Sequence, residues 1–361
     1  MFKVLSYSAT LVLLSLGLLA CGGGGGGSNT SAPATGTASF GLSDAPVEGL
    51  SEVVITIDGM ELRRKDGGEC DDDPVTDDCV FIDEFTEDGE VVDTITVNLL
   101  DLQDGDNQII IQDLELEAGE YDQLRLSVID EDINYSWVKE TANADVLKEL
   151  KVPSGELKLG GFTVESGGVQ VFVIEFDLRK AMTYNPGSKD RYILKPTGVR
   201  VVEVAAAASI SGTVAPALFS GNSTEPCVSK GDVNVGNVIY LYQGHDLDTA
   251  NLADNFDSVL DAAEPAPHVP APANAIAPYT SQQVDAVDGS YGVYYLPAGD
   301  YTLAFSCEAE NDDPDLFDGI VIPSPDTDPD TTIVELSLGE GESKTCGLPA
   351  VGGACAPVVV P

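Results

Sequence analysis

The chain has 361 residues, enough for about two domains, and 43% of them are apolar, so it can build ordinary cores. Its charge is one-sided: 61 Asp and Glu residues stand against 17 Lys and Arg, giving a net charge of -44. A surface this negative repels phosphate backbones and anionic lipid headgroups. We therefore expect no nucleic-acid partner, and any membrane attachment has to be covalent or hydrophobic. Solubility in a salty medium, or binding of divalent cations, explains such a composition.

The N-terminus has the features of an export signal. Lys3 is the only charged side chain in residues 1–20, an apolar region follows, and Ala20 directly precedes Cys21. This arrangement resembles the bacterial lipoprotein signal, although Leu19 is bulkier than usual. The resemblance implies cleavage before Cys21 and lipidation of that cysteine, with the outer membrane favoured because no Asp follows it. An uncleaved membrane anchor or an ordinary secretory peptide is the alternative.

Residues 21–36 read as a flexible linker that follows the signal, because six glycines and several small polar residues show no apolar periodicity. Six further cysteines, an even number, predict disulfides in an exported chain. The expected pairs are Cys70 with Cys79, Cys227 with Cys307, and Cys346 with Cys355. The first pair brackets an acidic loop, while the connectivity of the other four cysteines stays open. Zinc is disfavoured, because no two-residue cysteine spacing occurs and the chain has 2 His.

Strand signals dominate residues 37–204. Runs such as VVITIDGMEL and VFVIEFDL are β-branched or alternate polar with apolar residues, and turn residues separate them. The segment 140–150, ETANADVLKEL, is predicted to be a short helix. The alternation is typical of sheets with one face in a core. We therefore predict a sandwich of two antiparallel sheets.

Four consecutive alanines mark a boundary, and residues 205–346 again read as strands, among them NVIYLYQG and DYTLAFSC. Residues 262–280 are rich in Pro and Ala and are predicted to be extended and solvated. The tail, 347–361, is rich in Gly and Pro and is expected to be poorly ordered apart from its cysteines. One echo links the two parts: LEAGEYDQLRLSV in the first and LPAGDYTLAFSC in the second. It supports two domains of one β-sandwich class.

The first domain resembles a known family through FGLSDAPVEGLSEVVITIDGMEL, LEAGEYDQLRLSV, VFVIEFDLRKAM and YILKPTGVRVV. It is similar to the domain-of-unknown-function family numbered 4382, a bacterial domain of exported lipoproteins with no established activity. SISGTV, VIYLY and DGSYGVYYLPAGDYTLAF resemble the carboxypeptidase-regulatory-like sandwich, which is related in fold to transthyretin and starch-binding domains. The resemblances imply an all-β chain of two consecutive antiparallel Ig/transthyretin-like sandwiches, with spacer, adhesion or carbohydrate-binding roles.

No enzymatic site is predicted. His268 lies in the Pro-rich loop, where we expect no rigid position, and His245 lies near Asp246 and Asp248 in QGHDLD. A Ser-His-Asp site would use such residues, but the G-x-S-x-G elbow is missing. Paired carboxylates occur by chance among 61 acids. An enzyme stays an alternative, and it would show a buried carboxylate or His of shifted pKa beside a pocket.

Calcium is the metal that the acidic loops favour, because it takes six to eight oxygen ligands. Three segments are acidic enough: CDDDPVTDDC, NDDPDLFDG and PDTDPDTT. The second is our first choice, because Pro314 and Gly319 would shape a compact loop. Its candidate ligands are Asp312, Asp313, Asp315 and Asp318. Solvated acidic loops without a metal are the simpler interpretation.

Carbohydrate binding would need exposed aromatic rings. Tyr294 is the candidate in SYGVYYLP, because Tyr291 and Tyr295 share a strand face with an apolar residue. Tyr135 and Trp137 form a second candidate pair, which we expect to share one face. A core role is the alternative for both sets. The prediction is a lipid-anchored, non-catalytic binding or adhesion module of the cell envelope, with a glycan or an envelope protein as partner. A carbohydrate-binding lipoprotein or a purely structural stalk is the alternative.

Overall fold

The computed structural model describes residues 33–65, 67, 79–186, 189–218, 227, 232–324, 332–349 and 355–358. Within these ranges the chain forms 24 β-strands, two short α-helices and several 3₁₀ turns, so the all-β prediction is confirmed. Runs of β-branched and aromatic residues favour this outcome, because they pack well on pleated surfaces. No helix in the described ranges is both long and apolar enough to cross a membrane.

The first sandwich comprises β1 to β16 and the helix α1. Their bounds are β1 (Thr35–Ala45), β2 (Leu50–Arg64), β3 (Cys79–Ile82), β4 (Phe85–Glu87), β5 (Glu90–Val92), β6 (Ile95–Asn98), β7 (Gln108–Glu117), β8 (Gly119–Val128), β9 (Trp137–Glu140), β10 (Leu147–Lys151), β11 (Glu156–Leu159), β12 (Phe162–Val164), β13 (Val169–Asp177), α1 (Leu178–Ala181), β14 (Met182–Asn185), β15 (Arg191–Leu194) and β16 (Val199–Glu203). One sheet has the order β16-β13-β1-β7, and the other is a ten-stranded sheet around β2. Aromatic rings fill the space between them: the centroid of Phe40 lies 5.3 Å from that of Phe162 and 5.6 Å from that of Phe172.

The second sandwich comprises β17 to β24 and the helix α2. Their bounds are β17 (Ala208–Val214), β18 (Val238–Gln243), α2 (Ser258–Ala263), β19 (Thr280–Gln283), β20 (Ser290–Leu296), β21 (Gly299–Ser306), β22 (Ile333–Leu338), β23 (Ser343–Leu348) and β24 (Cys355–Pro357). Its two sheets have the orders β20-β17-β23-β24 and β19-β18-β21-β22. Each sandwich has its own hydrophobic core. Residues 34–361 nevertheless form one compact unit, and the division at residue 204 stays a prediction.

Each sandwich contains a parallel strand pair, although the sequence predicts antiparallel sheets. β1 pairs with β13 in parallel, from Thr37 opposite Val169 to Ala45 opposite Asp177. β17 pairs with β23 in the same sense. Parallel neighbours need long connections, and most of a sandwich separates the two strands in each case. The sequence shows only the short turns between neighbouring strands, and these do not reveal a parallel pairing. The observed sheets are mixed, with parallel and antiparallel pairs.

The two echo segments adopt the same local geometry. The Tyr121 hydroxyl donates to the carbonyl of Glu117 at 3.0 Å, and the Tyr301 hydroxyl donates to the carbonyl of Pro297 at 2.8 Å. Both rings are almost fully buried near the start of a strand, β8 or β21. A tyrosine that closes onto the backbone a few residues upstream forms the tyrosine corner of Ig-like sandwiches. The echo therefore reflects one structural device used twice.

The predicted helix over 140–150 is wrong. β9 ends at Glu140, a 3₁₀ turn covers Thr141–Asn143, and β10 begins at Leu147. β10 pairs with both β9 and β15. Ladder hydrogen bonds to two neighbouring strands override the helix propensity of LKELK, since propensity is weak beside tertiary context.

Two of the predicted disulfides are present. The Cα atoms of Cys227 and Cys307 are 5.5 Å apart, and those of Cys346 and Cys355 are 4.2 Å apart. The second bond joins opposite residues of β23 and β24 and thereby ties part of the tail to the sheet. Cys70 lies outside the described residues, so its pairing with Cys79 stays a prediction.

Candidate functional site

Buried ion pairs and hydrogen bonds cross the contact between the two sandwiches, here called the junction. Arg179, on α1 directly after β13, lies at its centre with a side chain that is 5% exposed. Its guanidinium donates to Asp312 Oδ2 at 2.9 Å and to Ser281 Oγ at 3.1 Å, both in the second sandwich. It also pairs with Glu48 of the first sandwich. One buried arginine therefore joins both halves of the molecule.

Asp312 is equally enclosed, with a side chain that is 1% exposed. Besides Arg179, its carboxylate accepts hydrogen bonds from the Tyr240 hydroxyl at 2.7 Å and from the Asn255 side-chain amide at 2.7 Å. Burial, followed by the charge of Asp312, raises the pKa of Tyr240 well above its usual value, so this hydroxyl stays a donor. A buried charge needs such a full set of partners.

Three more basic side chains of the first sandwich cross the junction. Lys180 donates to the carbonyls of Pro278 and Tyr279 at 3.0 and 3.3 Å, and burial lowers its pKa. Lys195 pairs with Asp315. Arg200 donates to the carbonyls of Tyr294 and Tyr295 at 3.3 and 3.4 Å. Four of the 17 basic residues of this acidic chain thus lie at its internal contact.

Tyr295 makes the return contact from the second sandwich. Its hydroxyl donates to the carbonyl of Gly105 at 2.7 Å and accepts from the Asn107 amide at 3.1 Å. Tyr295 has a φ of 52°, and the pairing of β17 with β20 shifts register opposite it. This irregularity turns Tyr295 out of the alternation that places Tyr291 in the core. The sequence interpretation, in which both rings share a core face, is therefore wrong for Tyr295.

An open groove of about 840 Å³ runs along the junction. Residues of both sandwiches line it, including Gln103, Asp104, Gln282, Gln283, Tyr294 and Thr345. Among the described residues that line the groove, the polar groups are amides, hydroxyls and carboxylates, with no lysine or arginine. Sites at domain contacts are a common place for ligands. This groove suits a neutral polar ligand and repels an anion.

The aromatic candidates do not form one site. Tyr294 lines the groove, but it is half-buried rather than exposed, because its ring packs over Gly105 and Gly292. Tyr135 is 44% exposed and lies in the turn that precedes β9, where strand alternation does not apply. The Trp137 indole donates to Glu52 at 3.0 Å. The expectation that Tyr135 and Trp137 lie on one strand face is therefore wrong.

The predicted calcium loop is engaged at the junction. Asp312 and Asp315 pair with basic residues of the first sandwich, while Asp313 and Asp318 bond backbone amides within the loop. No group of three or more His, Cys, Asp or Glu side chains in the described part of the chain is arranged to hold a metal ion. Calcium in this loop stays a prediction. The other two acidic segments, and Cys21, lie outside the described residues.

The two histidines have fixed partners. His268 Nε2 lies 2.6 Å from Asp261 Oδ1, and its side chain is only 14% exposed, so the expectation of a loose position is wrong. His245 contacts the carbonyl of Leu336 at 2.9 Å rather than Asp246 or Asp248. Neither histidine lines the groove.

Buried carboxylates of shifted pKa do lie beside the groove, as an enzyme would require. Burial raises the pKa of Glu175 to about 7 and that of Asp44 well above its usual value. They line a closed space that has no room for a water-sized molecule. A catalytic group has to contact the reacting atoms, so these two carboxylates could act on a substrate only if this space opened.

The junction was not predicted from the sequence, because no local pattern indicates it. The signal available was DLRKAM, where two basic residues follow a strand in a chain that has 17 in total. A scarce charge next to a buried strand indicates a specific partner.

Comparison with known families supports the identity of the first sandwich. Residues 35–196 match the family described as Domain of unknown function (DUF4382). The match ends just before β16. No curated protein sequence matches the chain.

Among solved structures, the chain is similar to several bacterial proteins, two of them pilins, at low identity. For GBS52, the minor pilin of Streptococcus agalactiae, identity is 10%, the TM-score is 0.19, and 90% of this chain and 97% of that one are covered. For BcpA, the major pilin of Bacillus cereus, identity is 11%, the TM-score is 0.20, and 88% of this chain and 69% of that one are covered. For the Bacillus anthracis TIE protein, identity is 11%, the TM-score is 0.19, and 87% of this chain is covered. The chain spans about a third of that protein, 34% of its length. TM-scores this low carry no argument about function.

Proposed function

We propose that this chain is a lipid-anchored, non-catalytic binding module of the cell envelope, with its binding site in the junction groove. The observation that carries the proposal is the groove itself, which is wide, polar and lined by both sandwiches. The residues around it include no nucleophile–base pair among those described, and the nearby shifted carboxylates are sealed. Buried ion pairs such as that of Arg179 with Asp312 fix one sandwich against the other, which preorganises a site that both sandwiches line.

The lining favours a neutral, polyhydroxylated ligand, and carbohydrate is the class that this chemistry fits. Amide groups of Gln282 and Gln283 both donate and accept hydrogen bonds, as sugar hydroxyls require. Tyr294 adds an aromatic ring to the same wall. The acidic rim disfavours phosphate and carboxylate ligands.

The test is a glycan array with the purified protein, followed by thermal melting with each hit. We expect binding that Tyr294→Ala abolishes and Tyr135→Ala leaves intact, since Tyr135 is exposed but does not line the groove. Absence of any glycan hit overturns the carbohydrate class. Absence of stabilisation by any ligand favours the structural stalk, for which the rigid junction would suffice.

The lipid anchor and calcium are part of this proposal. A single acyl chain binds membranes only marginally, so stable attachment through Cys21 needs at least two chains. A mass spectrum with an unmodified Cys21 in the mature protein would overturn the anchor.

Calcium at 312–318 would have to replace Arg179 and Lys195 as the partners of Asp312 and Asp315, and an unchanged melting temperature in millimolar calcium would exclude it.

A further inference from the structure

Three carboxylates lie buried side by side at the junction. Asp44 ends β1, while Glu175 and Asp177 end the neighbouring parallel strand β13. Their exposed fractions are 2%, 2% and 0%. Isolated buried carboxylates are costly unless each is paired, hydrogen-bonded or neutral.

Most of their oxygens have no partner of ordinary hydrogen-bond geometry in the described structure. Oε2 of Glu175 and Oδ1 of Asp177 have none, and Asp44 has only the weaker approaches of the Gln103 side chain and the Ala45 backbone amide. The Thr280 hydroxyl of the second sandwich donates to the other oxygen of Asp177 at 2.6 Å. Asp44 is therefore the least compensated of the three.

Two cations face this cluster, and both have other partners. Arg200 lies 3.9 Å from Glu175 while it donates to two backbone carbonyls of β20. Lys180, near Asp177, donates to the carbonyls that precede β19. The remaining titratable neighbours are Asp104 at the rim and the hydroxyls of Tyr279 and Tyr295. Three acids thus meet two cations, which leaves one charge unbalanced.

The space around Asp44 and Glu175 decides what balances it. This space lies between the sandwiches, under the groove, and Arg200, Thr280 and Gln282 share its lining. It has no room for a water-sized molecule, so it admits neither a bridging water nor a hydrated cation. A proton is the one counterion that needs no volume.

We propose that the junction is a proton-linked joint, in which Asp44 and Glu175 together hold one proton while the sandwiches are in contact and release it to solvent when they separate. The proposal does not depend on the groove's ligand. Separation exposes both acids to water, where they ionise at their ordinary pKa near 4. Closing of the junction therefore takes up one proton, and opening of the junction releases it.

The sign of the pH dependence follows. Burial, with the charges of Glu175 and Asp177 next, raises the pKa of Asp44, and burial raises that of Glu175 to about 7. The stabilisation of the closed joint is full below about pH 4. This stabilisation declines as the pH rises from about 4 through 7, because over that range the acids ionise in the open or unfolded state and thereby lower its free energy.

The experiment compares urea unfolding of wild type, Asp44→Asn and the control Asp101→Asn from pH 5.5 to 8. Asn mimics the neutral acid, and Asp101 is an exposed acid outside the junction, so both variants replace one carboxyl group by an amide. Asp254, whose burial raises its pKa to about 7, contributes the same slope to all three. Between pH 5.5 and 8, we expect the unfolding constants of wild type and Asp101→Asn to increase by a factor at least ten times larger than the factor for Asp44→Asn.

Equal slopes in Asp44→Asn and Asp101→Asn would overturn the proposal. If Asp44→Asn does not fold, Glu175→Gln serves in its place, with the same expected flattening. Small-angle X-ray scattering then separates the joint from general stability. We expect the radius of gyration of wild type to increase between pH 6 and 8.5 and that of Asp44→Asn to stay constant. A constant wild-type radius would reject the joint even if the slopes differ.

Discussion

Arg179 and Asp312 form an ion pair at 2.9 Å in which the two side chains are 5% and 1% exposed, although 133 residues separate them in the chain. Arg179→Met should destabilise the protein by about 3–5 kcal/mol, because it leaves a buried carboxylate without its cation. Urea unfolding provides the measurement.

Arg191→Met is the matched control, because Arg191 pairs with Glu131 and Glu149 near the surface and should cost only about 0–1 kcal/mol. The double variant Arg179→Met with Asp312→Asn should recover part of the loss, because the uncompensated charge is gone. Equal costs for the two arginines would show that Arg179 is not a structural centre.

Gly105 and Gly89 share a φ of +83°, yet their surroundings differ. A Cβ on Gly105 would lie 2.8 Å from the Tyr294 ring, whereas one on Gly89 would meet nothing within 4 Å. Gly→Ala carries the same backbone strain at both positions. Gly105→Ala should therefore cost about 1–2 kcal/mol more, which is the cost of overpacking. Chemical denaturation of both variants checks this, and equal losses would mean that Tyr294 moves freely.

The Tyr295 hydroxyl bridges the sandwiches through Gly105 and Asn107. Tyr295→Phe should lower the free energy of unfolding by about 1–2 kcal/mol, because a buried carbonyl loses its donor. Tyr135→Phe is the control, since Tyr135 is exposed and its hydroxyl should matter by less than about 0.5 kcal/mol. A loss of similar size in both variants contradicts the bridge.

The two disulfides close loops of very different length, with sequence separations of 80 for Cys227–Cys307 and 9 for Cys346–Cys355. Chain entropy predicts that replacing the first pair by Ala costs about 4–5 kcal/mol and the second about 2–3 kcal/mol. Melting of the two double variants tests the order. A larger loss for the short loop would mean that tying β24 to the sheet outweighs loop closure.

The sequence was sufficient for the all-β class and for the echo segments, and the pairing that it favoured among the four cysteines of the second sandwich, without settling it, is the one present. Each of these depends on local signals: alternation within a strand, cysteines that border strands, and a tyrosine after a tight turn. Tyr121 and Tyr301 illustrate the point, because each hydroxyl contacts a carbonyl only four residues upstream.

The rest depends on contacts between distant segments. Arg179 meets residues that are 131 and 133 positions away, and no pattern in DLRKAM indicates them. Tyr295 leaves the strand alternation because of an irregular pairing with β17, which only the register reveals. The helix predicted over 140–150 fails in part for the same reason, since its strand pairs with β15, far along the chain, as well as with the neighbouring β9.

The inward placement of Arg179, Lys180, Lys195 and Arg200 has a consequence for crowding. These four of the chain's 17 basic side chains are engaged between its two halves, and the net charge is -44, so neighbouring copies in a dense layer meet faces with an excess of negative charge. Such copies would be held apart by the osmotic pressure of their counterions, over a distance of about 8–10 Å at physiological salt. Lateral spacing would then shrink as ionic strength rises, with no change in the fold itself.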